Sequence, residues 1–298
     1  MTLVMALMAA LYLGFMALLI SQGFGTGFII VLAAGFAVAQ WFFSDKVALA
    51  AMRARQVTPQ QAPELHGMID RLCAMADMPK PRVAISYTDL PNAFATGRSP
   101  SRAAVCVTTG ILDKLTAEEL EGVLAHELSH VAHRDVLVMT VASSAGIVAA
   151  MLTRGAQYGA IFGGRGSSNN PVGAAGFVVT LVISLVVYAV SFFLTRLLSR
   201  YRELSADRAG AFLTQKPSAL ASALTKITGE IAAIPNRDLR SAQSMNAFFI
   251  APAISGASLK TLTSTHPSLE QRLEQLAKVG AELGRPLDGG FGSPGLDR

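Results

Sequence analysis

Four stretches of the chain run uncharged and apolar for about the length of a membrane helix: Leu3–Ile20, Gly27–Phe43, Val136–Leu152 and Phe177–Leu194. Each is near the ~17 to 25 residues needed to cross a bilayer, so the pattern predicts four membrane helices. Val136–Leu152 is short and Ala-rich, and it also suits a buried core helix. Between Ala54 and Val136 the pattern becomes that of a globular segment. Leu65, Met68, Ile69, Leu72 and Met75 recur at helical spacing and stop before Met78-Pro79, which predicts an amphipathic helix feeding a strand. "RVAIS" and "RAAVCVTTGIL" read as short strands of a small sheet, separated by the turn-rich "PNAFATGRSP". In "TAEELEGVLAHELSHVAHRD", Thr116 and Glu119 have capping-box spacing, so a helix starts near Ala117. Its stripe is Leu120, Val123, Leu124, Leu128 and Val131, and it could run on past Asp135 into the third apolar run. Residues 155–175, rich in Gly, Ser and Asn, read as a flexible hairpin connection or a partly re-entrant loop. After the fourth run, "SRYRELSADRAGAFLTQKPSALASALTKITGEI" and "HPSLEQRLEQLAKVGAEL" return to amphipathic helical character, and the tail is expected to be disordered.

Composition agrees with the membrane reading. Of 298 residues 51% are apolar and only 15% charged, and the mean hydropathy is +0.43, unlike an ordinary soluble enzyme. No Lys or Arg precedes the first run, no small-residue cleavage site follows it, and a second run begins within a few residues. It reads as an uncleaved anchor. The net charge of +5 does not require nucleic acid as a partner, because many positive residues stand where helices would leave the membrane. Lys46, Arg53 and Arg55 follow the second run; Arg196, Arg200 and Arg202 follow the fourth. That asymmetry places both chain ends and the 46–135 segment on the cytoplasmic side. Cys73 and Cys106 lie on that side and carry no metal or redox spacing, so they read as small buried residues without a disulfide. No phosphate-binding G-x-x-x-x-G-K-[ST] motif is present, so no ATP-driven step is expected.

The chemistry concentrates in "HELSH". On a helix His126 and His130 lie about 400° apart, one turn along the same face, so both imidazoles can reach one zinc ion. Glu127, about 100° round, can touch water at such an ion without binding the metal, as a general base must. Catalytic zinc takes a third protein ligand, and His66, His133, Asp135, Glu203, Asp207 and His266 are available. His133 lies roughly 10 Å along the axis from His126, too far to share the ion. Glu203 and Asp207 form an i, i+4 pair in "RELSAD" that suits a glutamate on the metal and an aspartate holding a ligating histidine; a solvated acidic pair flanked by Arg202 and Arg208 fits the same residues.

"HELSH", "ELSAD", "NAFATG" and "THPSLEQR", with two apolar runs before the zinc helix and two between it and the glutamate, resemble the HtpX-type membrane metalloprotease family, relatives of the CaaX prenyl proteases. The resemblance covers nearly the whole chain. It implies a mainly α integral membrane protein, with about four transmembrane helices and a cytoplasmic zincin-like metalloprotease domain holding a small β-sheet. The implied organisation is an N-terminal transmembrane hairpin (1–45), a first protease part with the zinc helix (46–135), a second transmembrane hairpin (136–198), a second protease part with the third ligand (199–285) and a flexible tail (286–298). It further implies one Zn2+ per chain on His126, His130 and Glu203, Glu127 as general base, Asp207 behind a ligand and His266 as an oxyanion donor. His266 also fits a plain neighbour of the last helix's N-cap. Asn92, Ala93, Phe94 and Ala95 resemble the family's edge strand beside the zinc, where an extended substrate adds by main-chain hydrogen bonds; a structural turn fits them equally. The implied work is endopeptidase cleavage of unfolded or membrane proteins at the cytoplasmic face of a bacterial inner membrane, as quality control under stress.

Three rivals are weaker. An intramembrane protease would bury "HELSH" inside an apolar run, whereas Glu118, Glu119 and Glu121 stand just ahead of it. A prenyl-protein protease would enclose its substrate with more helices. A non-catalytic scaffold with structural zinc would have no use for Glu127.

Overall fold

Residues 82–86 and 104–108 alternate or run apolar with β-branched side chains, and they form the two central strands of a four-stranded sheet. Apart from position 142 and single positions between 6 and 17, the computed structural model describes residues 26–140, 171–233, 250 and 266–287. The expectations for the first apolar run, the third run beyond 142, the connection up to 170 and the tail beyond 287 lie outside the described residues. In chain order the elements are α1 (Thr26–Ala51), β1 (Arg55–Gln56), α2 (Pro63–Met75), β2 (Arg82–Ser86), β3 (Ala93–Thr96), β4 (Ala104–Thr108), α3 (Thr109–Lys114), α4 (Ala117–Ala132), α5 (Pro171–Thr214), α6 (Pro217–Ala233) and α7 (Leu269–Glu282). The chain divides into two units, Met1–Phe42 with Leu137–Leu198, and Phe43–Val136 with Ser199–Arg298.

In the first unit one described helix, α5, is long and apolar enough to cross a membrane, its apolar stretch reaching a mean hydropathy of 2.2. Val178, Val182, Leu185, Val186, Tyr188, Val190 and Phe193 are exposed along it, a larger run of bare apolar surface than water tolerates on an isolated helix.

The second unit holds the sheet, in order β1-β2-β4-β3. β2 and β4 are parallel, with Ala84 opposite Cys106; β1 and β3 flank them antiparallel. Among the described residues β3 therefore forms an edge. Asn92 C=O accepts from Thr108 N–H at 3.0 Å, and the alternation of an antiparallel pair then turns the N–H and C=O groups of Ala93 and Ala95 away from β4. The tight turn after β3 uses Gly97, at φ 133, where a Cβ would stand 2.6 Å from Ala103 Cα. Leu65, Ile69 and Leu72 of α2, Val105 and Val107 of β4, Val123, Leu124 and Leu128 of α4, Leu220, Leu224 and Ile227 of α6, and Leu276 and Val279 of α7 share one core. Cys73 and Cys106 are both buried and free, and burial pushes the Cys106 thiol up to about 12.

α4 starts as the sequence requires. Thr116 Oγ1 accepts from Glu119 N–H, and the Glu119 carboxylate accepts from Thr116 N–H. One expectation is corrected. α4 does not continue past Asp135: it ends at Ala132, Arg134 takes φ 55, and helix resumes over 135–140. The segment carrying Glu203 is the last part of α5, a single helix of 44 residues. Nothing between Leu194 and Arg202 breaks a helix, and only Gln215, at φ 57 ahead of Pro217, ends it.

Candidate active site

α4 presents His126 and His130 one turn apart, their Nε2 atoms 3.2 Å from each other. α5 crosses close by because Gly210 has no side chain; a Cβ there would stand 2.9 Å from His126 N. That approach brings Glu203 over the pair, with Oε1 3.4 Å from His130 Nε2 and Oε2 3.7 Å from His126 Nε2. All three ligand atoms lie within 4.8 Å of one another. Ligands at ~2.0 to 2.1 Å from a tetrahedral zinc lie about 3.3 Å apart, so the donor set fits one zinc ion.

Each imidazole has its outer nitrogen occupied. His126 Nδ1 meets Asp207 Oδ1 at 2.9 Å and His130 Nδ1 meets Asp135 Oδ2 at 2.6 Å. An ionised carboxylate only accepts, so both Nδ1 atoms donate, and Nε2 is the atom that each ring directs at the centre and would offer to a metal. Asp207 is gripped in turn by Arg272, Nε at 2.7 Å and Nη2 at 2.6 Å, and Asp135 by Arg202 Nη2 at 2.8 Å. Among the described residues four carboxylates (Glu127, Asp135, Glu203, Asp207) are buried here with the two guanidiniums Arg202 and Arg272 close by, a surplus of carboxylates over guanidiniums that a divalent cation matches.

The electrostatics carry the same demand. Burial opposes a charged His130, yet its bonds to Asp135 and Glu203 outweigh that and lift its pKa to about 10. Burial likewise pushes the Glu203 and Asp207 carboxyls up. His266 and His130 beside Glu203, and Arg272 and His126 beside Asp207, outweigh it and hold both below the usual carboxylate range, Glu203 well below. Glu127 differs: burial dominates and raises it, although His126, His130 and the Ala95 N–H pull the other way.

Glu127 binds the edge strand. Its Oε2 accepts from Ala95 N–H at 2.8 Å, on the outward side of β3. Of the neighbouring strand positions, Ala93 is buried, Phe94 packs with Ala48, Met52, Ala84 and Cys106, and the Asn92 side chain accepts from Ile250 N–H at 3.0 Å. "NAFATG", a turn-rich spacer by composition and an edge strand by resemblance, contains the strand Ala93–Thr96. His266 comes to the site too, buried, with Nδ1 3.1 Å from Glu203 Oε2.

The remaining ligand candidates are placed elsewhere. His66 lies with Nε2 3.1 Å from Val57 O, and His133 is the exposed C-cap of α4. Asp135 supports a ligand histidine. The residue that sequence reasoning missed outright is Arg272, which is 2% exposed and also donates to Ile250 O at 2.6 Å. A signal for it existed: with Leu276 and Val279 it falls on the apolar stripe of α7, where a lone arginine calls for a buried anion.

A family model described as Peptidase family M48 matches residues 59–279. The chain belongs to peptidase family M48. The matched stretch contains His126, Glu127, His130, Glu203, Asp207, His266 and Arg272. Over 279 residues the chain is 56% identical to Protease HtpX homolog 1 of Streptomyces coelicolor, covering 93% of this chain and 91% of that protein. It is 51% identical over 287 residues to the Protease HtpX homolog of Moorella thermoacetica, covering 95% and 94%. Within M48 it belongs to the HtpX group, and it is a zinc metallopeptidase whose metal site is His126, His130 and Glu203. Its fold is similar to that in the crystal structure of S. mikatae Ste24p, at a TM-score of 0.55 and 19% identity over 92% of this chain; the chain spans 64% of that one.

Proposed function

We propose that this M48 peptidase is a membrane-anchored endopeptidase that cleaves unfolded or membrane proteins at the cytoplasmic face, as quality control under stress. The observation that carries the reading is the Glu127 to Ala95 bond, which sets a carboxylate between the two zinc-ligating histidines and the outward edge of β3. Glu127 takes the Ala95 N–H, so an extended polypeptide lying beside that edge is bound through its main chain by the other outward groups of the strand, and a main chain is what every sequence possesses. Selection then falls on looseness of the chain rather than on side chains. Asn92 holds the start of the strand and Ala93 to Ala95 line it, with no bulky outward side chain to exclude a substrate.

Zinc held at the site supplies a Lewis acid that polarises the scissile carbonyl and acidifies water. Glu127 takes the proton of the attacking water and delivers it to the leaving amine. His266, beside Glu203, donates to the carbonyl oxygen as charge grows there. Asp207, clamped by Arg272, keeps His126 oriented for the metal.

The membrane part of the proposal rests on the four apolar runs, on the bare apolar face of α5 and on the basic residues following the second and fourth runs. In this organisation two transmembrane hairpins, 1–45 and 136–198, carry a cytoplasmic protease assembled from 46–135 and 199–285, with a free tail. The test is selectivity. Full-length protein in detergent, with one zinc per chain, should cleave casein and leave a tightly folded protein intact; chelation should stop cleavage and added zinc restore it. Cleavage that survives chelation, or equal cleavage of folded and unfolded proteins, would contradict the proposal.

A further inference from the structure

His126 and His130 are each backed by a carboxylate that is itself held by an arginine, and the second of these chains of contact depends on a break in the helix. On an unbroken α4, Asp135 would lie about 140° round from His130 and ~7.5 Å along the axis, facing away. Instead α4 stops at Ala132, His133 caps it, and Arg134 turns left-handed at φ 55 with its N–H on Val131 O at 3.1 Å. The chain doubles back enough for Asp135 Oδ2 to reach His130 Nδ1 at 2.6 Å. The same oxygen lies 2.8 Å from Arg202 Nη2, and the Asp135 and Arg202 side chains are only 6% and 11% exposed.

We propose that Asp135 and Arg202 form a positioning pair that fixes His130 for zinc, the counterpart on the second histidine of Asp207 and Arg272 on the first. Asp135 accepts the Nδ1 proton, so that the Nε2 lone pair is the one presented to the metal, and its charge makes that nitrogen a better donor. Arg202 holds the buried Asp135 carboxylate in place and stops it swinging toward the centre, where it would compete as a ligand. The non-glycine residue at φ 55 makes sense on this view: the left-handed turn is what carries the carboxylate to the ring. This inference rests on the zinc site described above.

The test measures zinc affinity of full-length protein in detergent, by competition with a chelator. Asp135→Asn, nearly the same shape without the charge, should weaken zinc by about 10- to 100-fold. Arg202→Gln should weaken it in the same direction by less. At saturating zinc the KM for casein should stay at the wild-type value. The pair is overturned if Asp135→Asn binds zinc within about twofold of wild type, or if its KM for casein at saturating zinc departs from the wild-type value, the mark of a purely structural residue. Should Asp135→Asn fail to fold, unchanged affinity in Arg202→Gln overturns it. A wild type that binds no zinc would overturn the whole site, whereas tight zinc in Asp135→Asn overturns this pair alone.

Discussion

At the scale of single residues, distance from the zinc centre orders the consequences of substitution. Asp207 touches a ligand and not the metal, so Asp207→Asn should lower zinc affinity or casein cleavage by roughly 10- to 100-fold. His133 is exposed at the end of α4, so His133→Ala should change neither. Zinc content after dialysis and cleavage rate on the same preparations check both, and an empty site in His133→Ala would undo the ligand assignment. Part of this centre was legible from spacing. One helical turn puts His126 and His130 on one face, whereas the i, i+4 pair of Glu203 and Asp207 fitted a solvated acidic pair as well until the family resemblance favoured the ligand reading. The arginines were not legible, because each reaches its carboxylate across the fold: Arg272 is 65 positions from Asp207, and no periodicity on either helix links them. Asp135 was visible as a carboxylate but not as the partner of His130, since an i, i+5 pair on a continuous helix does not meet.

At the scale of elements, α4 is anchored at its start by Glu119, which closes the capping box, accepts from Ser222 Oγ at 2.6 Å and pairs with Lys226 at 2.8 Å, tying the zinc helix to α6. Burial pushes this carboxyl up, but the bonds from Lys226, Ser222 and the Thr116 N–H outweigh it and hold it below its ordinary value. A depressed folded-state pKa gives stabilisation that is complete above the unfolded value, about 4.3, and is lost as pH falls through the folded one. Glu119→Gln should therefore melt below wild type by a constant margin from pH 8 to about pH 5, and the margin should narrow below about pH 4. A margin that stays constant down to pH 3 would show that the charge is not what ties the helices. The capping box was written in Thr116 and Glu119, and the helix start followed from it. The stop at Ala132 was not, because no glycine or proline marks it: Arg134 adopts a conformation its type rarely takes, and tertiary contacts at Asp135 and Arg202 hold it there. β3 was legible through the resemblance but not from composition, for a related reason. Four residues among turn formers read as a loop until β4 supplies the pairing partner.

At the scale of the whole molecule, the basic residues that orient the chain are partly engaged in structure, Arg202 with Asp135. Lys46, Arg53 and Arg55 still set the side on which 46–135 should lie. A cysteine at Gln60 should be shielded from an impermeant reagent added to intact cells, and one at Ser168 should be labelled; the reverse would invert the topology. The central claim is that His126, His130 and Glu203 hold the zinc while Glu127 works beside it without holding it. The most direct test separates the two glutamates by measuring bound zinc and casein cleavage together. Glu127→Gln should keep about one zinc per chain and lose cleavage, since its carboxylate lies on the Ala95 N–H and outside the three-ligand set. Glu203→Gln should lose both, because it removes a charge from the metal's own ligands. Zinc lost from Glu127→Gln, or zinc retained and cleavage preserved in Glu203→Gln, would contradict the account.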